Sequence, residues 1–126
     1  MQLYIIYQDL DDELITYLNW YRSYDSDYDR VFIINHSPKL KIMMPELAGE
    51  LKDKRLTIVD SKGKVYLDHK AWIMSLYSLK KYREWSYFFA RTGNRHLVEN
   101  VALKLSTSCF AIGELINQEI KRKVEV

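Results

Sequence analysis

Two short runs of β-branched and aromatic residues, LYIIY at 3–7 and RVFIIN at 30–35, stand on either side of a helical period. Runs that are apolar on both sides of the pleat mark strands buried on two faces. Between them Leu14, Tyr17, Leu18 and Tyr21 fall at i, i+3, i+4 and i+7, which lines up one apolar helix face. Two buried strands joined by a helix make a β-α-β unit, with parallel strands and a right-handed crossover. This unit constrains everything after it, because a parallel pair belongs inside a parallel or mixed sheet.

The remaining pattern extends that sheet. Pro45 suits the first turn of a short helix, PELAGELKDK, where its missing N–H is not needed. LTIVD at 56–60, the turn SKGK and VYL at 65–67 read as an antiparallel hairpin, with Gly63 free to take positive φ. Trp72, Ser75, Leu76 and Leu79 then share a helix face, Trp85 to Arg91 form a shorter aromatic piece, and Thr92-Gly93-Asn94 breaks the pattern. Leu97 to Ile120 carries Leu97, Val101, Leu105, Ile112, Leu115 and Ile116 on helical periods and closes in Lys121-Arg122-Lys123. The order β-α-β-α-β-β-α with additional C-terminal helices is the thioredoxin-like order. The expectation is therefore an α/β fold with a mixed sheet in a single domain over 1–126, with 1–84 as its core and 85–126 as a helical extension.

Composition narrows the function classes. A chain of 126 residues, 48% hydrophobic and 29% charged, is one globular domain that folds without a disulfide or metal staple, and no cofactor is expected. MQLYIIYQDLDDEL has no basic start and no cleavage site, so it does not read as a signal peptide, and no run reaches the ~18 apolar residues of a membrane span. With one cysteine and no export signal, a reducing, cytoplasmic setting is the expectation. Residues 1–30 hold seven acids and two arginines, whereas the rest holds seventeen basic residues and ten acids. The lysines are spread rather than clustered and the pI is 8.6, so an ordinary solvated surface is favoured over nucleic-acid binding, and the partner expected is a protein.

Residues 55–92, RLTIVDSKGKVYLDHKAWIMSLYSLKKYREWSYFFART, resemble the middle of the DCC family, which are predicted thiol-disulfide oxidoreductases of thioredoxin-like fold. The family pattern is a strand, a D-x-x-G turn, a second strand, an early helical alanine and an aromatic Y-x-W-type stretch. Asp60, Gly63, Val65, Tyr66, Ala71, Tyr82 and Trp85 stand at those places. The resemblance implies D-x-x-C-x-x-C at the end of the first strand, and here the chain departs from it. If Tyr7-Gln8 aligns with the family's aromatic-Asp pair, the cysteine places fall on Asp11 and Leu14; if Asp9 is the motif aspartate, they fall on Asp12 and Ile15. Neither register holds a thiol, and the two-electron cycle needs both an attacking thiolate and a resolving thiol. The region Asp53-Lys54-Arg55-Leu56 also lacks the proline that such enzymes place before the third strand.

Other chemistry-bearing residues have ordinary readings beside functional ones. Asp9, Asp11, Asp12 and Glu13 can form an acidic site, but capping and compensation of the helix dipole account for them. Asp25, Asp27 and Asp29 imitate the start of a calcium loop that then fails, with Arg30 at the glycine position and His36 at the glutamate. His36, His69 and His96 show no metal-ligand spacing. Cys109, in STSCFAIG, reads as a packed core cysteine, and as a lone thiol working with glutathione only if it is exposed near the start of the first helix. Tyr82, Trp85, Lys80, Lys81 and Arg83, within a basic aromatic stretch at 77–91, suit a protein partner or single-stranded nucleic acid, while core packing explains the aromatics. The leading expectation is a non-catalytic binding or scaffold module with no catalytic residue assigned. An oxidoreductase-type enzyme with altered or single-thiol chemistry, and nucleic-acid binding by 77–91, are the alternatives.

Overall fold

The computed structural model describes residues 2–7, 12–26, 28, 30–35, 46 and 55–124. Four strands and five helices follow one another along these residues. They are β1 (Gln2–Tyr7), α1 (Asp12–Arg22), β2 (Arg30–Asn35), β3 (Leu56–Asp60), β4 (Val65–Leu67), α2 (His69–Tyr77), α3 (Arg83–Arg91), α4 (Leu97–Thr107) and α5 (Ile112–Val124). The short helix expected after Pro45 lies outside the described residues, apart from helical Glu46.

The β-α-β reading holds. β1 and β2 pair in parallel, with Leu3 opposite Val31 and Ile5 opposite Ile33. β3 enters antiparallel on the other side of β1, placing Ile58 opposite Ile5, and β4 folds back antiparallel on β3, placing Tyr66 opposite Ile58. The strand order is β2-β1-β3-β4, so β4 is an edge. Its turn is built as the sequence asks: Gly63 sits at φ +85°, its N–H donates to the Asp60 carbonyl, and the Asp60 side chain accepts the N–H groups of Lys62 and Lys64.

Strand side chains alternate between faces, and Leu3, Ile5, Leu56 and Ile58 share the face that meets the helices. Leu14, Tyr17, Leu18 and Tyr21 of α1 close on them, as the helical period requires. α1 begins with Asp12 and Glu13, whose negative charge suits the positive end of the helix dipole. Trp72, Ser75, Leu76 and Leu79 are buried as one face on α2 and the turn after it. Leu97, Val98, Val101, Ala102 and Leu105 of α4 and Ile112, Leu115 and Ile116 of α5 join the same hydrophobic cluster, and α4 lies against α1. Buried residues of α3, α4 and α5 thus belong to the same hydrophobic cluster as the sheet. Among the described residues, no helix is long and apolar enough to cross a membrane.

Two details depart from the pattern. The helical stretch over 97–120 is broken at 108–111. Ser106 and Thr107 turn their hydroxyls back onto the Leu103 carbonyl, Ser108 adopts extended backbone at φ −124° and ψ 165°, and its hydroxyl accepts the Phe110 N–H. Three consecutive hydroxyl residues offer the backbone local partners that compete with the helix. Cys109 falls in this break, and this corrects the core reading: it is exposed, not packed. The second departure is Asp68, which takes φ +54° just before α2, in a region L-residues rarely occupy.

Candidate functional site

The hairpin, α2 and α3 leave an open groove of about 780 Å³ on the β4 side of the molecule. Val65 and Tyr66 of the edge strand form part of one wall, and Tyr87, Phe89 and the 93–95 segment form part of the other. Ile73 and Tyr77 of α2 also line it. Local sequence explains the shape. The helix α2 ends at Tyr77, Leu79 pairs with Ser26 as an isolated bridge, and Tyr82 is buried, so α3 starts in a new direction. Gly93 at φ +69° then turns the chain back along the groove.

The surface chemistry of this groove is aromatic and basic. Tyr87 is 52% exposed and stands edge-on to Tyr77 with ring centroids 6.0 Å apart. Arg83 holds its guanidinium carbon 4.3 Å from the Tyr77 ring centroid and donates from Nε to the Tyr77 carbonyl. Lys64 lies 5.2 Å from the Tyr66 ring centroid. Lys62, Lys64, Lys70 and Arg95 all line the groove; among the described residues none forms a close ion pair with a carboxylate, and the Lys62 charge acts on Asp60 from farther away. The one acid there, Asp60, has its Oδ1 committed to two backbone N–H groups, and its Oδ2 accepts the Tyr66 hydroxyl at 3.3 Å. Partial burial disfavours its charge, but the N–H groups of Lys64 and Lys62, the Tyr66 hydroxyl and the Lys62 charge together outweigh that and hold the carboxyl below its usual range. Burial, followed by the Asp60 charge, pushes the Tyr66 phenol up. The groove therefore presents an excess of positive charge over a phenolic floor.

A second groove of about 640 Å³ adjoins it through His69, Lys70 and Arg95. Its inner end is Arg55, the first described residue before β3, which pairs with Glu99 at 2.8 Å and reaches Glu13 at 3.8 Å. This arginine ties the start of α1 to the start of α4. His96 also lines this groove, and among the described residues no three His, Cys, Asp or Glu side chains gather for a metal.

The positions singled out in the sequence are dispersed. Asp9 and Asp11 lie outside the described residues, as do Asp27, Asp29 and His36. Leu14 is fully buried in the core, Asp12 is exposed and Ile15 is half-buried. Tyr82 is buried, with Trp20 5.4 Å and Tyr24 5.5 Å away, and Lys81 covers Tyr24 and Tyr82. Burial and the neighbouring Tyr24 raise its phenol. Trp85 faces elsewhere, against Gly113 at the start of α5, and Lys80 is exposed at the turn. The 77–91 stretch is thus split over three surroundings: Tyr77, Ser86, Tyr87, Phe89 and Ala90 line the groove, and Arg83 reaches it only by stacking on Tyr77.

Cys109 is exposed, but at the end of α4 remote from the α1 N-terminus. Glu99 meets Arg55 there, and eight helical residues, about 12 Å, separate Glu99 from Thr107. The groove residues that sequence reasoning missed are Tyr66, Lys62, Lys64, Lys70 and Arg95. A signal for them was present in the lysines flanking the Asp60–Gly63 turn and in a three-residue strand that had to be an edge.

Comparison of the chain with protein-family models, with curated proteins and with solved structures finds no match.

Proposed function

We propose that this chain is a non-catalytic binding module on a thioredoxin-like scaffold, a divergent relative of the DCC family without a dithiol centre. The observation that carries the reading is the lone thiol. A sheet of order β2-β1-β3-β4, with β3 antiparallel to both neighbours, is the arrangement expected of a thioredoxin-like domain. Yet the chain's one cysteine, Cys109, lies in the α4–α5 connection, while Leu14, one of the family's cysteine places, is an aliphatic core residue. Dithiol exchange needs a second thiol to resolve the mixed disulfide. What the chain does offer is a basic aromatic groove, a surface suited to holding a partner.

The exposure of Cys109 supports one second reading, a single-thiol site that exchanges with oxidised glutathione to form a mixed disulfide and release one glutathione thiol, although it lies away from the first helix where that reading expects it. Reduction of insulin, with dithiothreitol and in parallel with glutathione as the reductant, separates the two. The wild type and Cys109→Ser are expected to match the blank. Turnover in the wild type that disappears in Cys109→Ser overturns the non-catalytic reading.

A further inference from the structure

Building on the binding-module reading, we infer that the groove beside β4 takes an extended, acidic peptide segment of a partner protein, which adds to the sheet as a strand next to β4.

The backbone of β4 supplies the first ground. The Asp60 N–H donates to the Lys64 carbonyl at 3.0 Å, which fixes the phase of the β3–β4 ladder. Hydrogen-bonded and non-hydrogen-bonded pairs alternate in an antiparallel ladder. Val65, opposite Val59, is therefore a non-hydrogen-bonded position, Tyr66 exchanges its bonds with Ile58, and Leu67, opposite Thr57, is again non-hydrogen-bonded. The N–H and C=O groups of Val65 and Leu67 point away from β3, along the outer edge, and among the described residues no other strand follows β4 in the sheet. Val65 is 41% exposed. An edge with unsatisfied backbone groups is the standard template for an added strand.

The second ground is charge. Lys62, Lys64, Lys70 and Arg95 surround this edge without a close carboxylate ion pair among the described residues, and the one acid lining the groove, Asp60, is engaged by its own turn and by the Lys62 charge. A segment bearing Glu or Asp at alternate positions meets these cations with one set of side chains. Its other set can rest on Tyr66, Tyr77 and Tyr87. The opposite wall, from Tyr87 to Arg95, leaves an open trough of about 780 Å³, large enough for several residues and not closed around one small ligand. Lysines on an edge usually repel other edges. Here the same lysines select against neutral and basic strands and admit an acidic one.

The test uses a fluorescein-labelled nonapeptide alternating Glu with Val and Tyr, titrated with the full-length protein and followed by anisotropy. A second peptide of the same sequence carries N-methyl groups on its three central amides, and labelled oligothymidine is the third probe. The first peptide is expected to bind, about tenfold more weakly at 500 mM than at 50 mM salt. The N-methylated peptide should lose about tenfold, because it keeps its charge but loses strand pairing. Lys70→Glu and Arg95→Glu, both at exposed positions, should each lose about tenfold as well. Equal binding of the two peptides overturns strand addition. Preferential binding of oligothymidine, or no peptide binding at 1 mM, overturns the acidic-peptide assignment. The insulin assay involves none of these probes, so a blank there alongside failed peptide binding removes this inference and leaves the binding-module reading standing.

Discussion

The hydroxyl of Tyr17, from the middle of α1, lies 2.7 Å from the hydroxyl of Ser75, 58 residues later on α2, and both side chains are fully buried. Ser75 gives its only proton to the Trp72 carbonyl at 2.7 Å, so Tyr17 is the donor and Ser75 the acceptor. One turn further along, Tyr21 and Ser78 repeat the arrangement at 2.5 Å, with Ser78 donating to the Ser75 carbonyl. Two phenols thus enter the core without leaving a polar group unpaired, and they fix the register of α1 against α2. The end of α2 fixed in this way is also the end that carries Tyr77 into the groove.

Removing the donor while keeping the ring isolates this contact. Tyr17→Phe should cost about 1 kcal/mol, the usual worth of a buried hydrogen bond, plus part of the penalty for a stranded Ser75 hydroxyl. Ser75→Ala should cost a similar amount, and the double variant should cost less than the sum, with a coupling of about 1 kcal/mol. Urea denaturation of the four proteins measures the cycle. Strict additivity would mean that the two hydroxyls do not interact.

Alkali should act on the same pair of phenols. Burial raises Tyr17 above its ordinary value, and the bond to Ser75 only partly opposes it; burial likewise raises Tyr21. Above pH 10 the unfolded chain loses these protons while the native chain keeps them, so stability is intact below pH 10 and falls as pH rises. Each phenol contributes a slope of about 1.4 kcal/mol per pH unit. Urea midpoints at pH 9, 10 and 11 should fall steeply in the wild type and less steeply in Tyr17→Phe. Identical slopes would place the alkaline transition elsewhere.

At the acid end the responsible group is Asp60. Its depressed carboxyl contributes stability that is present above the ordinary aspartate value and is lost as pH falls through the folded value. The loss should begin near pH 4 and be local, because the carboxylate holds only the hairpin turn and Tyr66. Amide exchange at Lys62 and Lys64 should quicken below pH 4 relative to the acid-catalysed rate of a free peptide. Asp60→Asn should show that faster exchange already at neutral pH. Unchanged protection in both cases would show that backbone bonds alone hold the turn.

Thr57 gives a prediction of opposite sign. It sits on β3 at 1% exposure, and its Oγ1 has no hydrogen-bond partner among the described residues. Valine has nearly the same shape, is β-branched and removes the stranded oxygen. Thr57→Val should raise stability by about 1 kcal/mol, read as a shift of the urea midpoint with an unchanged slope. A loss would mean that the hydroxyl is satisfied in solution.

How far the sequence could be read depended on whether a signal was local. The runs at 3–7 and 30–35 and the spacing of Leu14, Tyr17, Leu18 and Tyr21 placed β1, β2 and α1, because burial on both faces of a strand or one face of a helix is written into adjacent residues. Gly63 marked its turn for the same reason. The pairing of Tyr17 with Ser75 was not legible, since neither residue's neighbours say which hydroxyl it will meet. The groove was half legible. Tyr77, Tyr87 and Phe89 belong to the basic aromatic stretch, but Lys62, Lys64, Lys70 and Arg95 come together only once β4 is an edge and Gly93 reverses the chain. Tyr82 and Trp85 have the same composition as Tyr77 and Tyr87, and helix direction sends them to other surfaces.

Cys109 shows how an apolar neighbourhood in sequence can mislead. Phe110, Ala111 and Ile112 follow it, yet only Ile112 is buried, because the hydroxyls of Ser106, Thr107 and Ser108 end α4 before the thiol can turn inward. An exposed thiol held by no packing should react with a disulfide reagent at nearly the same rate in native buffer as in denaturant, within about threefold, whereas burial would protect it by orders of magnitude. Cys109→Ser should then change stability by less than about 0.5 kcal/mol, as for other surface substitutions. Stopped-flow thiol titration with and without 6 M urea supplies the first number, and equilibrium unfolding supplies the second. Strong native protection would mean that the 108–111 segment folds over the thiol. A native rate well above the denatured one would instead reveal an activated thiolate, and the single-thiol reading would then displace the non-catalytic one.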